Sequence, residues 1–414
     1  MSRETCGPLS MCGMTMSRSA LAAWVVVLCV LGAVLPGCAG PEQSTGEQPR
    51  SADGVIYHSP GEIAAVRVAG AKGQEQAFIW EWIGSDDALW AGTDVRGDVR
   101  RLLSVDLATG QTTLVAEEHC TAFPVIEPAV AVSTEGRWAS VETGGLADPI
   151  RSRVLVGDYG GRPTPVTPWG EGLRGLPRWN PDGTALLYVS VKHEEFPKIG
   201  SVEAVAIAVA RPARLASEIV LTRSGHSCED LDWAPNSKRV YLISYRPDDG
   251  ECLLEAVEWP TLKRETIMKA GGLGHLSVAR ATGDVVFTQV QEMQPGERVD
   301  SESRVVWRLS ADDGLEQTAA RVDRSPLATI VSSDGERLAV LLAAKDSEPP
   351  VPRADGLMLF DLADGSSRRV GDCPGTLCES IHWIFGGQAL VFPEGKNRVR
   401  LAVIEPRDQG NGSR

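Results

Sequence analysis

The chain is short of positive charge, of histidine and of long apolar runs, and each shortage removes a class of function. Its 414 residues carry 41 Lys and Arg against 55 Asp and Glu, a formal net charge of -14. No basic patch able to neutralise phosphates appears, so nucleic acid is not an expected partner, and the body is not expected to adhere electrostatically to an anionic membrane. The acidity reads as solubility. The 6 histidines, at positions 58, 119, 193, 226, 275 and 382, are scattered, and neither Cys-x-x-Cys nor His-x-x-x-His occurs. No resident metal or cofactor is therefore expected. The Gly-x-Ser-x-Gly, His-Glu-x-x-His and Gly-x-x-x-x-Gly-Lys patterns are also missing, and no catalytic residues are expected. The apolar run Leu21 to Val34 has 14 residues where a bilayer span needs about 20.

What the chain does have is a period. An apolar slot at Trp82, Val132, Trp179, Trp233, Ala279, Val331 and Trp383 is followed four residues later by a turn residue and seven later by a new apolar run. The slots are 50, 47, 54, 46, 52 and 52 residues apart, which marks a repeat array. In the clearest copy, Trp179-Asn180-Pro181-Asp182-Gly183, proline presets φ, aspartate suits the next position and glycine the last, so a hairpin turn is expected. Ala234-Pro235-Asn236-Ser237 repeats it, and Ser333-Asp334-Gly335 keeps the turn without the proline. A third and a fourth apolar run follow, as at Leu357 to Asp361 and Ser367 to Val370. Four short strands per repeat is the unit of a propeller blade.

Trp179 to Gly183 resembles the TolB-type propeller repeat, with looser matches at Trp233 to Ser237 and Trp383 to Gly387. The resemblance covers roughly residues 55 to 405 and implies fold more than activity, because propellers carry many unrelated functions. The expected class is all-β: a seven-bladed β-propeller of four-stranded antiparallel blades. The last repeat offers only three strands, near Ser380 to Trp383, Ala389 to Phe392 and Arg398 to Ile404, while a spare strand stands at Glu62 to Ala69. Pairing them closes the last blade with the N-terminal strand and removes an exposed edge. An open or eight-bladed arrangement is the alternative, since the fifth repeat, with Ala279 in its slot, is weakly marked.

Arg18 precedes the apolar run, and Leu35-Pro36-Gly37-Cys38 closes it. That pattern reads as a signal peptide over residues 1–37. Leu-Pro-Gly-Cys resembles the lipobox of bacterial lipoproteins, which implies lipidation of Cys38; an ordinary secretory leader is the alternative. Residues 38–54 are expected to be the lipidated cysteine and a flexible tether, 55–405 the β-propeller and 406–414 a disordered tail. The expected place is the cell envelope, lipid-anchored on the extracytoplasmic side of a membrane. The expected partners are that membrane, through the lipid, and an envelope protein or surface polymer; the chain is expected to be a monomer.

Export permits disulfides. Cys373 and Cys378 flank a turn and are the candidate local bridge, while Cys228 and Cys252 lie about two strand spacings apart, too far for direct bridging without help from flanking loops. Cys120 is the candidate left over, with Cys120 to Cys228 an open alternative. Cys228 and Cys378 stand at one register, five residues before a Trp slot, where the chain enters an innermost strand near the mouth of the central channel. His226, Glu229, Asp230, His275, Glu379 and His382 are the candidate binding residues of that mouth. They support an alternative function, a small-ligand binder or lyase- or cyclase-like enzyme, beside the favoured non-catalytic scaffold. Long insertions at Lys192 to Ser201, Gln291 to Ser303 and Lys345 to Ala354 emerge on the same face and are the expected binding loops. Trp179, Trp233 and Trp383 are expected to pack between blades; Trp169 and Trp259 are open to either role.

Overall fold

A computed structural model describes residues 63–67, 76–82, 88–95, 99–106, 112–119, 130–133, 135–144, 151–158, 161–195, 198–290, 303–310, 314–344, 353–376, 381–384, 387, 389–393 and 398–403. Cys38, Cys120, Cys378, Glu379 and the leader lie outside them, as do the side chain of Cys373 and most of Gln291 to Ser303 and Lys345 to Ala354.

The chain turns back after each strand, so neighbours in sequence are neighbours in a sheet. After β1 (Ile63–Arg67), the first sheet takes β2 (Gln76–Trp82), β3 (Ala88–Val95), β4 (Val99–Asp106) and β5 (Thr112–His119). The second takes β6 (Val130–Val132), β7 (Arg137–Thr143) and β8 (Arg151–Asp158), with β9 (Thr164–Pro165) and β10 (Gly170–Glu171) both on β8. The third takes β11 (Leu173–Trp179), β12 (Ala185–Glu195), β13 (Lys198–Ala208) and β14 (Ile219–Val220). The fourth holds β15 (Ser227–Trp233), β16 (Arg239–Tyr245), β17 (Glu251–Glu258) and β18 (Arg264–Gly271). The fifth holds β19 (Leu273–Val278), β20 (Val285–Val290), β21 (Arg304–Ser310) and β22 (Gly314–Val322). The sixth holds β23 (Pro326–Val331), β24 (Arg337–Ala343), β25 (Arg353–Asp361) and β26 (Ser367–Thr376). In the last sheet, β27 (His382–Ile384), β28 (Ala389–Pro393) and β29 (Arg398–Val403) are joined by β1, antiparallel to β29 with Ile63 opposite Ala402 and Arg67 opposite Arg398.

The hairpin turns form for the reasons their residues give. The Gly183 N–H donates to the Asn180 carbonyl at 2.9 Å, the Asn180 Oδ1 accepts from the Ala185 N–H at 2.8 Å, and Gly183 takes a φ of 66°. Glycine is suited there because it adopts positive φ without steric cost. Ser237 occupies the same place with a φ of 59°.

Middle strands bury both faces, so their apolar residues run on instead of alternating with polar ones. Along β12, Ala185, Leu187, Val189 and Val191 pack with Leu231, Trp233 and Leu242 of the fourth sheet, while Leu186 and Tyr188 pack with Ala139, Val154 and Val156 of the second. Along β24, Leu338, Val340 and Leu342 face the fifth sheet, and Ala339 and Leu341 face the last. The core is thus a series of layers between sheets, each large side chain contributing about 1.5–3 kcal/mol by leaving water. Ala279 is completely buried in one such layer, so its small size marks a crowded slot. The first strands touch in succession: β2 with β6, β6 with β11, β11 with β15, β15 with β19, β19 with β23 and β23 with β27, and β27 in turn contacts β2.

One expected loop is a strand. The described residues of Lys192 to Ser201 continue the β12–β13 hairpin, pairing His193 with Ile199 and Glu195 with Lys198. The Lys192 ammonium meets the Glu203 carboxylate at 2.8 Å across it. Charges that looked like loop composition are cross-strand partners on an extended ribbon.

Candidate functional site at the inner strands

The innermost strands bring polar side chains together where the sheets meet. Five of them are irregular in register just before the slot: β2, β11, β15, β19 and β23. In β15 the shift falls between Cys228 and Asp230, and such a bulge re-aims the side chains after it. Asp230 and Asp232, two residues apart, then reach the neighbouring sheet. Asp230 Oδ2 accepts from the Leu276 N–H at 2.9 Å and Oδ1 from the Leu231 N–H at 2.9 Å. Asp232 repeats the pattern, with Oδ2 accepting from Val278 at 3.2 Å and Oδ1 from Trp233 at 2.9 Å. The carboxylates therefore satisfy backbone donors that the sheet ladder leaves over.

Cations complete the cluster. Arg178 of β11 donates to the Leu231 carbonyl and stands 3.7 Å from both Asp230 and Asp232. Arg280, just after β19, donates to Asp232 Oδ1 at 3.2 Å. His382, in β27, is close enough for the Arg178 charge to act on it; its Nε2 is shielded from solvent and makes no hydrogen bond among the described residues. Burial first, and then Arg178, lower its pKa to about 4, so the ring is neutral at pH 7.

The other described candidates lie on β15, on β19 and on the segment before β15. His226 sits before β15 with Nδ1 3.3 Å from the Ser224 carbonyl. Glu229 faces the fifth sheet, where a side chain on Gly274 would begin 4.0 Å from it and 3.7 Å from Arg304. His275 is buried at a φ of 55°, and its backbone carbonyl accepts from the Thr329 hydroxyl at 3.0 Å. Cys228 and Cys252 are both thiols, pushed upward in pKa chiefly by burial. No group of three or more His, Cys, Asp or Glu among the described residues is arranged to hold a metal ion.

The slot tryptophans fasten the same region. Trp179 donates its indole N–H to the Ala131 carbonyl at 3.3 Å, Trp233 to Arg178 at 3.1 Å and Trp383 to Ile330 at 3.0 Å. Each acceptor is the residue before the preceding slot. Trp259 packs edge-on against Trp233 at 6.1 Å, whereas Trp169 is exposed.

Three-dimensional comparison adds the fold. An oligogalacturonate lyase in complex with manganese matches with a TM-score of 0.59 at 12% identity, over 85% of this chain and 96% of that one. Kuenenia stuttgartiensis hydrazine synthase matches at 0.53 and 11%, over 81% and 98%. The fold is a β-propeller. TolB from Acinetobacter baumannii is also among the structural neighbours, at 0.43 and 15%, over 74% and 77%. No protein-family model matches the chain, and no curated protein matches it in sequence.

Sequence reasoning missed Arg178, Asp232 and Arg280. A signal for two of them was present: Arg178, Asp232 and His382 each stand one residue before a slot tryptophan.

Proposed function

We propose that this chain is a non-catalytic propeller of seven blades, closed by its own N-terminal strand, exported and held to a membrane through a lipid on Cys38. Its role is to present a rigid face to an envelope protein or surface polymer. Closure is supported by the β1–β29 register and by inner-strand contacts that return from β27 to β2. Export and anchoring rest on the leader and on Leu35-Pro36-Gly37-Cys38.

One observation carries the non-catalytic reading. Asp230, the best-placed candidate acid, uses both oxygens on backbone N–H groups, one of them across a sheet boundary. A general base must turn an oxygen toward substrate, whereas each oxygen here is held by a backbone N–H and Arg178 stands 3.7 Å away. Rigid discs with loops from many blades recognise partners without chemistry.

The test is capture from intact envelope by the full chain. Replacing Gln291–Ser303 and Lys345–Ala354 with short turns, and trimming the Lys192–Ser201 hairpin, is expected to abolish capture. A partner retained after all three changes contradicts the reading. A stoichiometric metal in the purified chain would favour the small-ligand or enzymatic alternative.

A further inference from the structure

Four large apolar residues are exposed among the described residues: Trp169, Leu215, Val220 and Leu315, at 41%, 64%, 46% and 37%. The first three fall on one sector of the rim, where the outer segments of the second and third sheets run side by side. The Ala216 N–H donates to the Val166 carbonyl at 2.8 Å, joining the two segments. Arg174 joins them again, donating to the Ser152 carbonyl on one side and to Glu218 at 2.8 Å on the other. Trp169 is held in place: the Arg153 guanidinium lies 4.5 Å from its ring centroid, and a side chain on Gly144 would meet the ring at 3.4 Å.

Among the described residues, arginines outnumber acids in this sector, the reverse of the chain as a whole. Arg151, Arg162 and Arg214 are exposed and make no ion pair among the described residues. Among the described residues the local acids Glu142, Glu218 and Asp158 are paired with Arg153, Arg174 and Arg137, which leaves Glu171, opposite Arg151 in the β8–β10 pairing. An overall charge of -14 conceals this, because composition averages over sectors. Exposed Trp and aliphatic side chains among arginines fit the interfacial layer of an anionic bilayer, where rings sit at headgroup level and guanidinium groups meet phosphates. A second copy fits less well, since a two-fold contact would set these arginines against their own counterparts.

We propose that the rim around Trp169, Leu215 and Val220 docks onto an anionic lipid surface and sets the propeller edge-on to the membrane. The proposal rests on the anchored reading for proximity: Cys38 stands only 16 residues, 39–54, before the propeller segment that begins at 55.

The experiment uses the full, processed chain with excess vesicles of phosphatidylglycerol or phosphatidylcholine carrying brominated acyl chains. The Trp169 signal is the difference between the wild type and Trp169→Phe. Quenching of at least about half of that signal is expected in phosphatidylglycerol and little in phosphatidylcholine. The triple variant Arg151→Glu, Arg162→Glu, Arg214→Glu, at exposed positions, is expected to abolish it with unchanged circular dichroism. Equal quenching in both lipids, none in either, or a dimer that the triple variant dissociates would each overturn the proposal. Anchoring is read separately, as retention on vesicles at high salt with and without Cys38→Ser. Loss of the anchor reading leaves the rim measurement standing, because quenching is recorded in lipid excess.

Discussion

The indole N–H of Trp233 donates to the backbone carbonyl of Arg178 at 3.1 Å, across the boundary between the third and fourth sheets. Trp233 is completely buried, so its ring fills an inter-sheet layer while its one polar atom is satisfied by the neighbour. Trp233→Phe is expected to cost about 1–2 kcal/mol, chiefly the lost bond and the stranded carbonyl. Trp233→Ala adds a cavity and is expected to cost about 3–5 kcal/mol. Urea unfolding of the two variants checks the order; equal losses would contradict the hydrogen-bond role.

Asp230 is assigned to structure, and its variants separate that role from chemistry. Asp230→Ala leaves the Leu276 and Leu231 N–H groups without their acceptor and is expected to destabilise by about 2–4 kcal/mol. Asp230→Asn keeps one acceptor oxygen and is expected to lose about half as much. Denaturant midpoints measure both. A stability-neutral Asp230→Ala would return Asp230 to the list of functional acids.

Two turn glycines give an internal control. Gly335 and Gly250 have φ of 76° and 70°, yet a Cβ on Gly335 would lie 2.6 Å from Asp284 Oδ2, while one on Gly250 meets nothing within 4 Å. Gly250→Ala is expected to cost about 1 kcal/mol from backbone strain alone. Gly335→Ala is expected to cost about 2–3 kcal/mol, since Asp284 is held by Arg308 at 2.6 Å and cannot easily retreat. Thermal unfolding of the pair tests whether turn-to-turn packing between sheets is as tight as described.

His382 sets a pH dependence whose sign is fixed. Its folded pKa of about 4 lies below the usual value of 6.5, so the unfolded chain takes up the proton first as pH falls. Stability present above pH 6.5 is lost progressively down to about pH 4, by about 1–3 kcal/mol from this group. Below that the contribution is flat. Urea midpoints at pH 7.5 and 4.5 should differ less in His382→Gln than in the wild type; parallel shifts would contradict a neutral imidazole with a shielded Nε2.

The repeat and its turns were legible because hairpin chemistry is local: Asn180, Asp182 and Gly183 make bonds within a few residues of themselves. The strand at Ile63 to Arg67 was legible because a missing partner can be counted. The bulges in the inner strands were not, since nothing in Cys228-Glu229-Asp230 distinguishes a straight strand from a shifted one. That shift decides where Asp230 points, so its bonds to the Leu231 and Leu276 N–H groups could not be read from the sequence. The Trp169 rim escaped for a different reason: two segments some 50 residues apart in sequence form it together.

The central claim is that the N-terminal strand completes the last sheet, and introduced cysteines test it most directly. Paired residues alternate between wide and close spacing along an antiparallel ladder, so two neighbouring pairs are used, Ala64→Cys with Leu401→Cys and Ala65→Cys with Arg400→Cys. Under mild oxidation of the full chain, peptide mass spectrometry should find a 64–401 or a 65–400 disulfide in at least one of the two variants. Introduced thiols that remain reduced in both, while the chain is folded, would contradict closure.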